Sequence, residues 1–191
     1  MGVITSFFKK HWLFIVLAAL AFALLGIFLF TQEKGGEVAP SPSPISQSPS
    51  WRGITPGQTS QEEVAHKLGQ PRETRTENSS TVFIYPSGSK VRNNEVFFTG
   101  TTTSLIKEQI TSSEVTLSSY LDTYGAPEAL LYGPHATAGF TLHVFSSRGV
   151  AALANPTDGT VLEVWYFTPM GFEQFQASLG QEFSTSYPQK F

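Results

Sequence analysis

An uncharged run of 19 residues, from Trp12 to Phe30, constrains this chain more than any other feature of its sequence. A helix of that length rises roughly 28 Å, close to the ~30 Å thickness of a membrane's hydrocarbon core. A cleavable signal peptide has an apolar region of about 7–15 residues, with a small-residue cleavage site soon after it. The nearest candidate site, around Ala39, lies well beyond the run. We therefore predict an uncleaved transmembrane helix over residues 11–30, with a removed signal peptide as the alternative.

The residues that flank this run predict its orientation. Lys9 and Lys10 precede it, whereas the charges that follow it are mixed in sign. Because positively charged flanks stay in the cytoplasm, residues 1–10 are predicted to form a cytoplasmic tail. The rest of the chain is then extracytoplasmic. The prediction is a single-pass protein of the cell membrane that contacts the lipid bilayer through residues 11–30.

A linker is predicted over residues 31–50. This segment is rich in Gly, Pro and Ser and contains the sequence "APSPSPISQSPS". Alternating Pro and Ser favour extended conformations without internal hydrogen bonds, so the segment is predicted to act as a semi-rigid spacer. A folded domain is expected to begin at residue 51.

The composition of the chain excludes several classes of site. It has no cysteine, which rules out disulfides, thiolate metal sites and a cysteine nucleophile. Residues 51–191 carry nine Lys or Arg and thirteen Asp or Glu, without a basic stripe. Nucleic acid binding therefore has no electrostatic footprint, and no nucleic acid partner is predicted.

Three segments have the start and stop signals of helices. In "ITPGQTSQEEVAHKLGQP", residues 54–71, Thr59 or Ser60 provides the N-cap, and a Gly-x-Pro sequence ends the helix. The segment "TSSEVTLSSYLDTYGAP", residues 111–127, ends in the same Gly-x-Pro sequence. A final amphipathic helix is predicted in "MGFEQFQASLG", residues 170–180.

The first two predicted helices each precede strand-like runs that are separated by turns. The clearest hairpin signal is the Asp158-Gly159 pair before "TVLEVWYF". The combined pattern predicts an α+β fold. After the transmembrane helix come two tandem helix-plus-antiparallel-sheet units, residues 51–110 and 111–191, and the second unit ends in a C-terminal helix.

The run that begins at Ile54 resembles the opening of the BamE-like (SmpA/OmlA) small-lipoprotein domain. That family typically has a Gly-Met-Thr turn, a Glu-Glu-Val helix and a Leu-Gly-x-Pro ending. The positions that fit are Gly57, Thr59, Glu62, Glu63, Val64, Leu68, Gly69 and Pro71. Gln58 stands where the family usually has Met, and the chain lacks the lipidated cysteine. Two such units in tandem are similar to the β-lactamase-inhibitor-protein-like fold, which implies an envelope scaffold or an inhibitor-like binder.

Residues able to carry catalysis form no recognisable motif. The histidines outside the membrane run lack metal-ligand spacing; they are His66, His135 and His143. Ser146 or Ser147 could form a Ser-His-Asp set with His143 and Asp158, but no GxSxG sequence surrounds either serine. We therefore predict no catalytic, metal or cofactor site. The alternative is a membrane-anchored extracytoplasmic enzyme, such as a cell-wall hydrolase whose paired carboxylates are brought together by the fold.

The aromatic residues predict where a partner protein binds. Alternate residues of a strand point to opposite faces, so Trp165 and Phe167 cannot share a face with Val164 and Tyr166. If helices cover only one face, Trp165 and Phe167 are partly exposed and anchor a partner. The predicted partner-binding residues are Tyr85, Phe98, Phe145, Trp165 and Phe167, with Arg148 at the rim. The alternative is that the three helices bury these aromatic residues.

These expectations combine into one functional prediction. The chain is expected to be a membrane-anchored extracytoplasmic protein-interaction module, of the scaffold or inhibitor type, without catalytic activity. Its predicted partner is another envelope protein or peptide.

Overall fold

The computed structural model describes residues 48–77 and 80–188. The predicted cytoplasmic tail, the predicted transmembrane helix and most of the predicted linker lie outside the described residues, so these three stay predictions. Within the described ranges, no helix is long and apolar enough to cross a membrane.

The described part of the chain folds around one antiparallel sheet of eight strands. The strands are β1 (Glu73–Glu77), β2 (Ser80–Tyr85), β3 (Asn94–Thr99), β4 (Thr102–Gln109), β5 (Ala129–Leu131), β6 (Thr141–Phe145), β7 (Val150–Ala154) and β8 (Val161–Phe167). Their order across the sheet is β1-β2-β3-β4-β8-β7-β6-β5. The α-helices of the same ranges are α1 (Gln61–Leu68), α2 (Leu117–Tyr124) and α3 (Phe172–Ser178).

The predicted fold class is wrong in its central point. Strand β4 pairs with β8 from Leu105, opposite Phe167, to Gln109, opposite Glu163. This ladder joins β1–β4 to β5–β8 in one continuous sheet, so the described residues do not form two helix-plus-sheet units. The physical reason is that two separate sheets would leave the backbone groups of β4 and β8 unpaired at exposed edges.

Helix α1 begins and ends at the residues that its local sequence indicates. Ser60 is the N-cap: the Ser60 hydroxyl accepts from the backbone N–H of Glu63, and the Glu63 carboxylate accepts from the backbone N–H of Ser60 at 2.7 Å. This reciprocal pair is a capping box. Gly69 follows the helix with a φ of 83°, a backbone conformation that favours glycine.

Helices α1 and α2 lie on one face of the sheet, called here the α1–α2 face. Val64 of α1 packs against β3 and β4, in a cluster with Val96, Phe98 and Ile106. Leu117 of α2 packs against a second cluster, drawn from β6, β7 and β8, that comprises Phe145, Val150, Ala152, Ala154, Val161 and Val164. This face therefore carries a helix over each half of the sheet.

Helix α3 covers only one half of the opposite face, called here the α3 face. Phe175 of α3 is fully buried, with ring centroids 6.3 Å from Trp165 and 5.0 Å from Phe167. Across β1–β4 on this face, no helix of the described residues lies over the sheet. We call this half the open face, although two of its residues, Val82 and Ile84, are buried. By register it carries Glu73, Arg75, Glu77, Ser80, Val82, Ile84, Glu95, Phe97, Leu105 and Lys107.

Candidate functional site

A groove runs along the open face, between helix α3 and strands β3 and β4. One part of the groove has a volume of about 670 Å³, and an adjoining part has a volume of about 500 Å³. Both parts are lined by Ser80, Phe97, Leu105, Ser178 and Leu179, which makes them continuous. From Thr102 to Lys107, strand β4 extends for roughly 17 Å, a length that matches about five residues of an extended chain.

The floor of the groove is apolar. Phe97 of β3 and Leu105 of β4 are directly opposite each other in the sheet. Met170 and Leu179, which flank α3, pack against the same core cluster and also line the groove. Phe97, Met170 and Leu179 are only partly buried, whereas Leu105 is buried. The hydrophobic core beneath α3 therefore reaches the surface along this groove.

An ion-pair network borders the groove on the side away from α3. Arg75 Nη2 lies 2.6 Å from Glu95 Oε1, Arg75 Nη1 lies 3.3 Å from Glu77 Oε1, and Arg75 Nε lies 3.8 Å from Glu73 Oε1. Burial raises the pKa of the Glu95 carboxyl above its ordinary value, although Lys107 and Arg75 favour its ionised form. Three carboxylates thus surround one guanidinium, which leaves this border negative.

Lys107 is held at the junction of the open and covered halves of the α3 face. Its Nζ lies 4.4 Å from the ring centre of Trp165 and 5.4 Å from that of Phe97. Cation–π contacts of this kind hold an ammonium group over an apolar surface. Glu95 is opposite Lys107 in the β3–β4 ladder. Lys107 therefore contributes a fixed positive charge beside the carboxylates.

The other end of the groove is uncharged and rich in hydroxyl groups. It is lined by Thr99, Thr102, Thr103, Ser104 and Thr168. The Thr103 hydroxyl is buried and has no hydrogen-bond partner within the part of the chain that the structure describes. Gly57 also lines this end, with a φ of 80°, and a Cβ there would lie 2.7 Å from the Thr168 hydroxyl oxygen. Glycine is therefore needed both for the turn and for the close approach.

The aromatic residues predicted to anchor a partner from β8 are in the core. Trp165 is 2% exposed and Phe167 is fully buried. Both lie under Phe175 of α3, and Trp165 also contacts Phe183, with the two ring centroids 5.7 Å apart. The expectation that these residues are partly exposed is wrong because α3, although only seven residues long, packs directly over β8.

The other predicted partner-binding residues lie apart from the groove. Phe145 and Phe98 are buried on the α1–α2 face, and the ring centroid of Phe145 is 5.5 Å from that of Tyr124. Tyr85 is buried on the same face, where its hydroxyl donates to the Gly69 carbonyl at 3.1 Å. Arg148 is half-exposed in the turn before Gly149. The structure does not bring these residues together in an exposed patch.

The residues considered for a Ser-His-Asp set are not arranged as one. The Ser146 hydroxyl donates to the Glu128 carboxylate, which also accepts from the backbone N–H of Ser147 at 2.9 Å. Partial burial alone would raise the pKa of Glu128, but these hydrogen bonds hold it below its ordinary value. Neither ring nitrogen of His143 has a hydrogen-bond partner among the described residues. Asp158 instead accepts from the backbone N–H of Thr160 at 2.9 Å.

Metal ligation finds no support in residues 48–77 and 80–188. Within these ranges, no three His, Cys, Asp or Glu side chains lie close enough together to hold a metal ion. His66 and His135 are both exposed, and the buried His143 has a pKa lowered by desolvation.

Sequence reasoning missed the residues that line the groove, although one signal was present. Strand β1 reads "ETRTE", in which Glu73, Arg75 and Glu77 share one face. Glu95 continues this charged face into the otherwise apolar β3. Charges on β1 and β3 favour a solvated border on this face, although Val82 and Ile84 of the intervening β2 are apolar. Locating the groove also requires the position of α3, which the strand patterns do not contain.

Comparisons with known proteins do not assign this site. No protein-family model matches the chain, and no curated protein matches it. A solved DUF4309 family protein (YjgB) from Bacillus subtilis is similar over 63% of this chain and 86% of its own, at 17% identity and a TM-score of 0.45. A cysteine-rich secretory protein (SAV1118) from Staphylococcus aureus is similar over 69% of this chain and 50% of its own, at 9% identity and a TM-score of 0.39. Both likenesses are too distant to support an argument about fold or function.

Proposed function

We propose that this chain is a membrane-anchored extracytoplasmic module that binds another envelope protein or peptide and performs no catalysis. The observation that carries the proposal is the groove on the open face. Phe97 and Leu105 form an apolar floor there, and no helix of the described residues lies over it. The other half of the same face is packed under α3. An apolar centre with a polar rim is the usual composition of a protein-binding surface.

The proposal includes the membrane anchor. Residues 11–30 span the membrane, residues 1–10 are cytoplasmic, and residues 31–50 link the anchor to a domain on the outer side. Tethering raises the effective concentration of the domain near other envelope proteins, so a groove of modest size gives useful binding. The resemblance of the Ile54 run to BamE-like lipoprotein domains implies the same class of function.

The carboxylates beside the groove favour binding over hydrolysis. A glycoside hydrolase needs one carboxyl group that donates a proton and another that is free to attack or to activate water. Arg75 pairs with one oxygen of Glu95 and one of Glu77, at 2.6 and 3.3 Å, which makes each carboxylate a weaker nucleophile and base than it would be without the pair. The raised pKa of Glu95 would suit a general acid, which makes a cell-wall hydrolase the alternative to test.

We expect purified full-length protein to release no soluble fragments from cell-wall material. Release that is lost in Glu77→Gln would contradict the proposal.

Site-specific cross-linking tests the binding role. A photoreactive amino acid is placed at position 178 or at position 177 of the full-length protein in its own membranes. Both positions are exposed on α3, but only Ser178 lines the groove, which makes Ala177 a matched control. We expect one discrete adduct from position 178 and a much weaker one from position 177. Equal adducts from the two positions, or none from position 178, would contradict binding in the groove.

A further inference from the structure

The chemistry of the groove specifies the class of its occupant. We infer that it binds an extended peptide segment in which an apolar residue and a lysine or arginine lie two positions apart. This inference rests on the proposed function, because it names the kind of partner that the same groove takes.

The path of the groove favours an extended segment. Phe97 and Leu105 lie on its floor, with α3 on one side and the Arg75 ion pairs on the other. It follows strand β4 for roughly 17 Å between Thr102 and Lys107, which matches about five residues of an extended chain. An extended chain directs every second side chain to the floor.

The charge of the groove favours a cationic segment. Glu77, Glu95 and Glu182 line its charged end. Among the described residues that line this end, Lys107 is the one cation. The lining therefore has an excess of two negative charges. Arg75 and Glu73, which are paired beside the groove, do not change that excess. Complementary charge steers association and excludes partners of the wrong sign, so an acidic segment is disfavoured at this end.

The spacing of the groove residues sets the spacing within the segment. Glu95 precedes Phe97 by two positions on the same face of β3, a separation of roughly 6.8 Å. In an extended peptide, side chains two positions apart have the same separation. An apolar residue over Phe97 and Leu105 therefore directs a side chain two positions away toward Glu95 and its neighbouring carboxylates. At the other end, the hydroxyls of Thr99, Thr102 and Ser104 suit an uncharged segment.

Binding of defined peptides tests the inference. The probes are three heptapeptides with blocked ends and an uncharged dye: GSLSKSG, GSLSESG and GSSSKSG. Full-length protein in a neutral detergent is titrated against each, and fluorescence anisotropy is measured in low and high salt. We expect GSLSKSG to bind roughly tenfold more tightly than either of the others. Its affinity should fall as salt screens the carboxylates.

Charge reversal provides the matched control. Glu77 and Glu182 are exposed, so Glu77→Lys with Glu182→Lys alters the groove without disturbing the core. This double variant should prefer GSLSESG over GSLSKSG. Glu114→Lys with Asp122→Lys makes the same change in net charge at exposed positions outside the groove, and it should keep the original preference. If both double variants lose the preference equally, general electrostatics explains the binding and the inference is wrong.

The outcomes separate this inference from the proposed function. Ser178→Trp fills the groove and should abolish peptide binding, whereas Ala177→Trp should not. Binding that Ser178→Trp blocks, but that shows no preference for lysine, leaves the proposed function standing and overturns the inference. Failure of all three peptides to bind, with the position-178 adduct still formed in membranes, overturns the inference in the same way. Binding that is insensitive to Ser178→Trp, with no adduct from position 178, overturns both.

Discussion

At the scale of single residues, Glu95 and His143 each occupy a site where ionisation costs the folded state energy. Glu95 is half-buried beside Arg75, and burial raises its pKa above the ordinary value of 4.5. His143 is 5% exposed, its ring nitrogens have no partner among the described residues, and burial lowers its pKa below 6.5. Glu95 borders the groove, whereas His143 is buried on the α1–α2 face.

We expect Glu95→Gln to leave the free protein as stable as the wild type at pH 7, or more stable. A raised folded-state pKa makes the contribution of Glu95 most favourable below pH 4.5, and this contribution is lost as the pH rises through the folded value. At pH 7 the ionised carboxylate is therefore a net cost that glutamine removes. Thermal unfolding followed by circular dichroism measures the effect, with the exposed Glu73→Gln as control. A fall of more than about 4 °C would show that the Arg75 pair outweighs the desolvation.

We expect the protein to lose stability as the pH falls from about 7.5 through the ordinary histidine value of 6.5, because His143 is buried in its neutral form. The unfolded chain takes up the proton first, and the loss is complete below the lowered folded pKa. His143→Leu should flatten this part of the pH profile and raise the stability at neutral pH by roughly 1–3 kcal/mol, since two unsatisfied nitrogens are removed. The exposed His135→Gln is the control. A profile unchanged in His143→Leu would refute the assignment.

At the scale of elements, the helix termini are specified locally and the pairing of the strands is not. The capping box at Ser60 and Glu63 lies within four residues of sequence, so the sequence pattern located the start of α1 to within one residue, at Thr59 or Ser60. The pairing of β4 with β8 connects Leu105 to Phe167, and no local pattern contains that choice.

The capping difference between α1 and α2 gives a matched test. Ser60→Ala removes the bond from the Glu63 N–H to the Ser60 hydroxyl and the bond from that hydroxyl to the Glu63 carboxylate, and it should cost about 1 kcal/mol. The bond from the Ser60 backbone N–H to Glu63 remains. Thr116, the N-cap of α2, makes no side-chain capping bond, so Thr116→Ala should cost clearly less. Urea unfolding of the two variants measures the difference. Equal losses would mean that the Ser60 hydrogen bonds contribute no stability beyond the side-chain packing.

The same contrast explains how much of the site was predictable. The sequence predicted that β8 carries aromatic residues on both faces, and Trp165 and Phe167 do lie on one face by register. Their burial depends on α3 folding back over β8, a contact that strand periodicity does not encode. The apolar floor at Phe97 was missed for the converse reason, since its exposure depends on which part of the sheet α3 leaves uncovered. Long-range packing, rather than local propensity, decided both cases.

At the scale of the whole molecule, the continuous sheet implies one cooperative unit across residues 48–188. The β4–β8 ladder lies in the middle of the sheet, and Tyr166 of β8 packs against the clusters beneath both α1 and α2. A loss of packing on either side should therefore be transmitted to the other. This behaviour would differ from that of two separate helix-plus-sheet units, each with its own core.

We expect Val96→Ala and Val150→Ala to lower the same single unfolding transition, each by roughly 2 kcal/mol. Both valines are fully buried on the α1–α2 face, with Val96 near α1 and Val150 near α2. Near- and far-ultraviolet circular dichroism, recorded along one urea titration, should coincide for both variants. Two separated transitions, with each variant shifting only one of them, would mean that the halves unfold independently.

The central claim is that the groove on the open face is occupied by another protein in the membrane. Hydroxyl-radical footprinting measures this directly, because Met170 and Phe97 line the groove, are partly exposed and are readily oxidised. The full-length protein is labelled once in its own membranes and once after purification. We expect oxidation at Met170 and Phe97 to be several-fold slower in the membranes, while Leu121, which is exposed on α2, reacts equally in both samples. Equal oxidation of the groove residues in the two samples would contradict the claim.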